Sequence, residues 1–271
     1  MEAAKEILQY TPQLYRKNGS TEPVNIEPWA SGIFLKVDGI HFLLTAGHVL
    51  SENGNDINPE DVGIMIGNIY HILNGHVKYT DTNVDSTNSK IDLTIWKLED
   101  ERVVNDLLMK YKFLEPDAID IDHLPTIKPN YLIVGFPITR TKLKPSTHSI
   151  KVDPFMFLTK QMKGNVYTKL AFETHSNIIL EYRKRKIRNF NGTAGQGPDP
   201  YGLSGCGLWH LPELKIDLDG KVPHKLVGIM TEWHSAHNAV VATRIHIVTE
   251  VIRKEFGLSL PKSNITEIKL H

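Results

Sequence analysis

The sequence predicts an all-β protein, a barrel or a sandwich, from two kinds of observation. Short apolar runs recur along the chain, at 33–37, 40–44, 62–66, 68–73, 91–98, 131–135, 177–182, 226–231 and 239–245, and Gly, Pro, Asn or Asp separates many of them. Runs of this length with turn residues between them are the pattern of strands. Helix-like stretches are few: 101–112, 246–256 at the end of the patterned region, and a short one within 2–17 that Pro12 would interrupt.

Taken in order, residues 1–28 are polar and carry Pro23 and Pro28, and they read as an arm. Ile33-Phe34-Leu35-Lys36-Val37 is then the first clear strand, and Ile40-His41-Phe42-Leu43-Leu44 is its partner. Asp38-Gly39 between them is a two-residue hairpin signal, because both residue types accept the positive φ that such a turn requires. Residues 183–201 begin with Arg183-Lys184-Arg185-Lys186 and end rich in Gly and Pro, so they are expected to include a mobile loop. No repeat recurs at a fixed period.

Bulk properties exclude several function classes. Lys plus Arg and Asp plus Glu both number 31, so the formal charge is zero and no field favours nucleic acid. No apolar stretch is long enough to span a bilayer. Cys206 is the single cysteine, which rules out an intrachain disulfide and points to a reducing compartment. The start, Met-Glu-Ala-Ala-Lys-Glu-Ile-Leu, lacks the pattern of a secretory leader, so the expected location is the cytoplasm.

Three segments carry chemistry, in a fixed order: Thr45-Ala46-Gly47-His48, Ile91-Asp92-Leu93-Thr94-Ile95-Trp96, and Gly202-Leu203-Ser204-Gly205-Cys206-Gly207. A serine hydroxyl is a weak nucleophile that needs a base. Imidazole titrates near neutrality, so His48 suits that role. Asp92 opens an apolar strand, where burying a carboxylate is costly unless it is paired. A histidine ring N–H would pair it and fix the ring tautomer. Glycines around Ser204 let the backbone turn sharply. The N–H groups of Gly202 and Ser204 could then face a developing oxyanion.

These segments resemble the chymotrypsin-like (trypsin-like) serine protease superfamily, in the style of its disulfide-free bacterial-type members. Ser31-Gly32-Ile33-Phe34, Ile133-Val134-Gly135-Phe136-Pro137, Leu226-Val227-Gly228-Ile229-Met230-Thr231 and Val241-Ala242-Thr243-Arg244-Ile245 extend the likeness over about residues 30–257. The resemblance implies two six-stranded antiparallel β-barrels with a C-terminal helix. Barrel one would span 29–120 with His48 and Asp92, and barrel two 121–271 with Ser204. It implies a serine endopeptidase acting on protein or peptide substrates, with catalytic His48, Asp92 and Ser204 and no cofactor. A regulatory protein partner that orders the 183–201 loop would fit a cytoplasmic protease. The alternative is a catalytically silent binding or scaffolding protein on the same fold.

This chain departs from the family pattern at informative places. Leu203 precedes the serine, where digestive members use an aspartate to pair with a new N-terminus, so that activation switch is not expected. Cys206 and Gly207 replace a glycine and a proline of the motif, and Cys206 is expected to be inert packing. Pro198 occupies the position of the trypsin-like pocket acid. Asp199, Thr231, Glu232 and Trp233 are the candidate cleft residues, the two acids being able to attract a basic side chain. His234-Ser235-Ala236-His237 has the look of a metal pair but lacks a third spaced ligand, so it reads as a loop and no metal is expected.

Overall fold

A computed structural model of the chain describes residues 2–18, 25–52, 55–80, 90–144, 149–188, 194–212 and 222–265. Residues 189–193, in the middle of the segment expected to be mobile, lie outside this set.

The first half is built from β1 (Gln13–Asn18), β2 (Asn25–Ser31), β3 (Ile33–Val37), β4 (Ile40–Thr45), β5 (Val62–Ile66), β6 (Ile69–Ile72), β7 (Gly75–Tyr79) and β8 (Thr94–Leu98). They form two four-stranded sheets, ordered β2-β1-β5-β6 and β3-β4-β8-β7. Only Gly32 separates β2 from β3, and only Leu73 and Asn74 separate β6 from β7. Each of these pairs is therefore one bent strand shared by the two sheets. Counted that way, six strands close into a barrel. Corners where a strand passes from one sheet to another are the usual means of such closure. Asp38 and Gly39 have φ of 49° and 80°, with Val37 opposite Ile40, as the hairpin signal requires.

The second half has β9 (Tyr131–Gly135), β10 (Phe155–Thr159), β11 (Asn177–Glu181), β12 (Gly207–His210), β13 (Lys225–His234) and β14 (Ala239–Arg244). They form one six-stranded antiparallel sheet, ordered β10-β9-β12-β13-β14-β11. A bridge between Gln161 and Leu180 joins its two edges, so this barrel closes as well.

The apolar runs look uniform because both faces of the central strands are buried. In β4, Phe42 and Leu44 face the layer between the barrels, while Leu43 faces the interior of the first. Ile95 and Trp96 in β8 divide in the same way. In β9, Leu132 and Val134 join the shared layer, and Tyr131 and Ile133 fill the second barrel. Helices α1 (Glu2–Leu8) and α4 (Ile245–Glu255) seal that layer with Ala3, Ala4, Ile7, Val248 and Ile252. Helix α2 (Glu101–Lys110) packs on the first barrel and starts at Asp100, whose carboxylate accepts the N–H groups of Arg102 and Val103. Helix α3 (Gly164–Leu170) packs on the second barrel.

The described part of residues 1–28 is not the arm that its polarity suggested. It provides helix α1 and two strands of the first barrel. Pro28 fits because β2 pairs only with β1 and lies at a sheet edge, where a missing N–H costs no ladder bond. The described ends of 183–201 are also tied down rather than loose. Ile187–Arg188 pairs with Ala194–Gly195, and the Gly197 N–H donates to the Lys184 carbonyl.

Candidate active site

Strand register brings the first two chemical residues together. Thr94 of β8 lies opposite Thr45 of β4. Asp92, just before β8, therefore stands beside the turn Gly47–Leu50 that follows β4 and carries His48. Asp92 Oδ1 accepts the His48 backbone N–H at 2.8 Å, and Asp92 Oδ2 accepts from the ring Nδ1 at 2.6 Å. The carboxylate is buried at 5 % exposure, and these two bonds offset its desolvation. Gly47 is what lets it approach: a Cβ there would lie 2.7 Å from Asp92 Oδ1 and 2.9 Å from the Leu93 nitrogen.

The third residue comes from the other barrel. Ser204 Oγ lies 2.9 Å from His48 Nε2, so with Nδ1–H committed to Asp92 the free nitrogen is the acceptor. The ring is half-buried, with the Ser204 hydroxyl on one side and the carboxylate on the other. Burial alone would lower the His48 pKa. The hydrogen bond and charge of Asp92, with the charge of Glu232, outweigh it, and the net shift is upward from 6.5.

The serine sits on a tight elbow. Gly202 and Gly205 have φ of +91° and +87°, a region that side chains with a Cβ rarely adopt. The Tyr201 carbonyl accepts the Ile138 N–H at 2.8 Å. Because a trans peptide points its two polar groups in opposite directions, this bond turns the Gly202 N–H away from Ile138. The Gly205 N–H donates to the Met230 carbonyl, and the Leu203 N–H to that of Pro200. The elbow is also fastened to the first barrel. The Ser31 N–H donates to the Ser204 carbonyl at 2.9 Å, and the Ser31 hydroxyl donates to the Gly202 carbonyl at 2.7 Å. The same hydroxyl accepts the Phe136 N–H at 3.0 Å, and Thr45 Oγ1 donates to the Ser31 carbonyl. Sequence reasoning quoted Ser31 only as part of a strand motif, since a buried serine at a strand end has no signature of its own.

Cys206 is fully buried, and burial pushes its thiol pKa well above the usual range, so it is no rival nucleophile.

The candidate cleft residues fall into two groups. Thr231 and Trp233 lie near the elbow. The Thr231 carbonyl is 3.3 Å from Ser204 Oγ, at a bulge in β13 between Met230 and Glu232. The Trp233 ring meets Tyr201 edge-on at 6.0 Å. The two acids differ. Asp199 binds the Lys184 ammonium at 2.5 Å, so it is paired with a fixed cation. Glu232 Oε2 lies 3.0 Å from His234 Nε2 without a hydrogen bond between them, and its negative charge reaches His48. His234 rests against Phe172 and Glu232, and among the described residues it joins no cluster with His237 that could hold a metal.

The chain is similar in fold to a solved Glu endopeptidase in complex with MPD. The TM-score is 0.50 at 14% sequence identity, over 92% of this chain and 91% of that one. The fold is therefore the all-β, chymotrypsin-like one. No family model and no curated protein matches the sequence. Among the described residues, no helix is long and apolar enough to cross a membrane.

Proposed function

We propose that the protein is a serine endopeptidase that cleaves protein or peptide substrates through an acyl-enzyme. The observation that carries this reading is His48, with Nδ1 2.6 Å from a buried carboxylate and Nε2 2.9 Å from the Ser204 hydroxyl. The endopeptidase fold of the structural neighbour supports it.

In this reading Ser204 Oγ attacks the scissile carbonyl carbon while His48 Nε2 takes its proton. The carbonyl oxygen gains the charge and is met by the N–H groups of Gly202 and Ser204. The C–N bond then breaks, and the leaving amine takes the proton from His48. Water repeats the sequence: His48 removes its proton, the hydroxide oxygen attacks the ester, and Ser204 leaves with the proton returned. Asp92 stays ionised throughout and steadies the imidazolium. Thr231, Trp233, Asp199 and Glu232 are assigned to the cleft wall. The Lys184 ammonium already occupies Asp199, which leaves Glu232 as the acid able to meet a basic side chain.

An assembled triad also favours activity over a silent scaffold on the same fold. A fluorophosphonate probe is expected to label the full-length protein at one residue, Ser204, and not the Ser204→Ala variant. Loss of peptide hydrolysis in the same variant completes the test. Labelling of both proteins alike, or of neither, would remove the proposal.

A further inference from the structure

We propose that Asp120, His123 and His210 form a site for one divalent transition-metal ion, zinc being the best match, which clasps the linker between the barrels to strand β12. One donor atom from each side chain lies within 4.8 Å of the other two. Asp120 Oδ2 and His123 Nδ1 are already 3.2 Å apart, about the spacing of two ligands on one tetrahedral ion with bonds near 2.1 Å. Two imidazoles and one carboxylate suit zinc, copper or nickel, whereas calcium and magnesium call for all-oxygen sets.

The surrounding groups are those that orient ligands. His123 Nε2 lies 2.8 Å from the Tyr131 hydroxyl, which also accepts the Thr126 N–H. His210 Nε2 lies 2.8 Å from the Asn130 side-chain amide, whose buried Oδ1 has no partner among the described residues as the amide stands. With that amide turned, Oδ1 accepts from Nε2–H. Each ring is then held at Nε2 by a neutral neighbour, which frees Nδ1 for the ion. The rings pack 4.4 Å apart between centroids, a contact that two charged imidazoles would resist. Burial, then the neighbouring His210, hold the His123 pKa down at about 4, and burial lowers that of His210.

The site has a mechanical consequence. Asp120 and His123 belong to the linker, which touches the second barrel through the Asp120 N–H on the Leu226 carbonyl. His210 ends β12, the strand that begins three residues after Ser204. A bound ion would fix the linker to the strand that leaves the nucleophile elbow. Asp120 is partly exposed, which gives the ion a way in. The Arg244 guanidinium, hydrogen-bonded to the His123 carbonyl, opposes any cation, so the affinity expected is about micromolar. The proposal does not depend on Ser204 being catalytic.

The test is a titration of chelator-stripped, full-length protein with zinc by calorimetry, which gives both the number of ions bound and the affinity. One zinc per chain and a Tm raised by several degrees are expected. Cobalt in its place should give the absorption bands of a tetrahedral ion. His210→Gln and Asp120→Asn alter partly exposed side chains and should each weaken binding at least tenfold while the apo Tm stays within a few degrees. No uptake at about 100 micromolar zinc, or equal uptake by both variants, would overturn the proposal.

Discussion

The Ser31 hydroxyl lies 2.7 Å from the Gly202 carbonyl oxygen, and this bond spans the cleft from one barrel to the other. The Ser31 hydroxyl oxygen in turn accepts the Phe136 N–H, and the pair of bonds fixes the peptide between Gly202 and Leu203, directly between the two proposed oxyanion donors. Ser31→Ala should therefore lower kcat about tenfold or more with little change in KM, since losing an oxyanion donor outright costs 100-fold or more, roughly. The variant should still bind substrate. A rise in KM at unchanged kcat would show that Ser31 holds the fold and not the transition state.

The base requires a neutral ring, and Asp92 works against neutrality by raising the His48 pKa above 6.5. Activity should therefore fall on the acid side with a midpoint above that value. Stability runs the other way. A raised folded pKa contributes stability that is complete below the unfolded value and is lost as pH rises through the folded one. Asp92→Asn removes the charge of Asp92 and its carboxylate hydrogen bond, and leaves only the charge of Glu232 to raise the pKa. Its acid midpoint should move down, and kcat should drop by about ten-thousand-fold as the tautomer is lost. A pH–rate profile of both proteins decides the matter. An unmoved midpoint would mean that Asp92 does not control the ring.

Cys206 stands two residues from Ser204 but is sealed from solvent, with its thiol held protonated by burial. Cys206→Ala should retain hydrolysis within about threefold, and iodoacetamide should leave the native protein active. The variant should also be less stable, by about 1 kcal/mol for a small buried group lost. Inactivation of the folded protein by the alkylating agent would reopen a thiol mechanism.

Where the sequence was readable, the reason is burial on two faces. Strands such as β4, β8 and β9 show apolar runs because one side packs inside a barrel and the other between barrels. Strands β1 and β2 were hidden for the opposite reason. Arg16, Lys17 and Asn18 follow one another in β1, Asn25 and Glu27 open the edge strand β2, and neither run leaves an apolar pattern, while Pro28 adds a false stop signal. Of the site, the residues inside short motifs were legible: His48 by its glycine, Ser204 by its elbow, Asp92 by its strand. Ser31 was not, because its partners lie 105 and 171 residues away. Away from that site, the grouping of His123 with His210 was not legible either, because only the pairing of Tyr131 with His210 across β9 and β12 brings them together.

His246 supplies the last prediction. It lies at the start of α4, 1 % exposed, and neither ring nitrogen has a hydrogen-bond partner among the described residues. Burial first, then the charges of Arg244 and His175, lower its pKa from 6.5 to about 4, against the smaller pull of Asp122 and Glu250. In the unfolded chain the ring takes a proton near 6.5; in the folded one it resists until about 4. A depressed histidine therefore costs nothing above the unfolded value and destabilises the fold as pH falls through this window. The full drop corresponds to about 3 kcal/mol. Denaturant unfolding at pH 7 and at pH 4.5 should show most of that loss in the wild type and a smaller one in His246→Leu. The substitution also removes two orphaned polar atoms, so it should be near neutral at pH 7. An identical acid slope in both proteins would place the acid sensitivity elsewhere, with His123 and His210 the next groups to test.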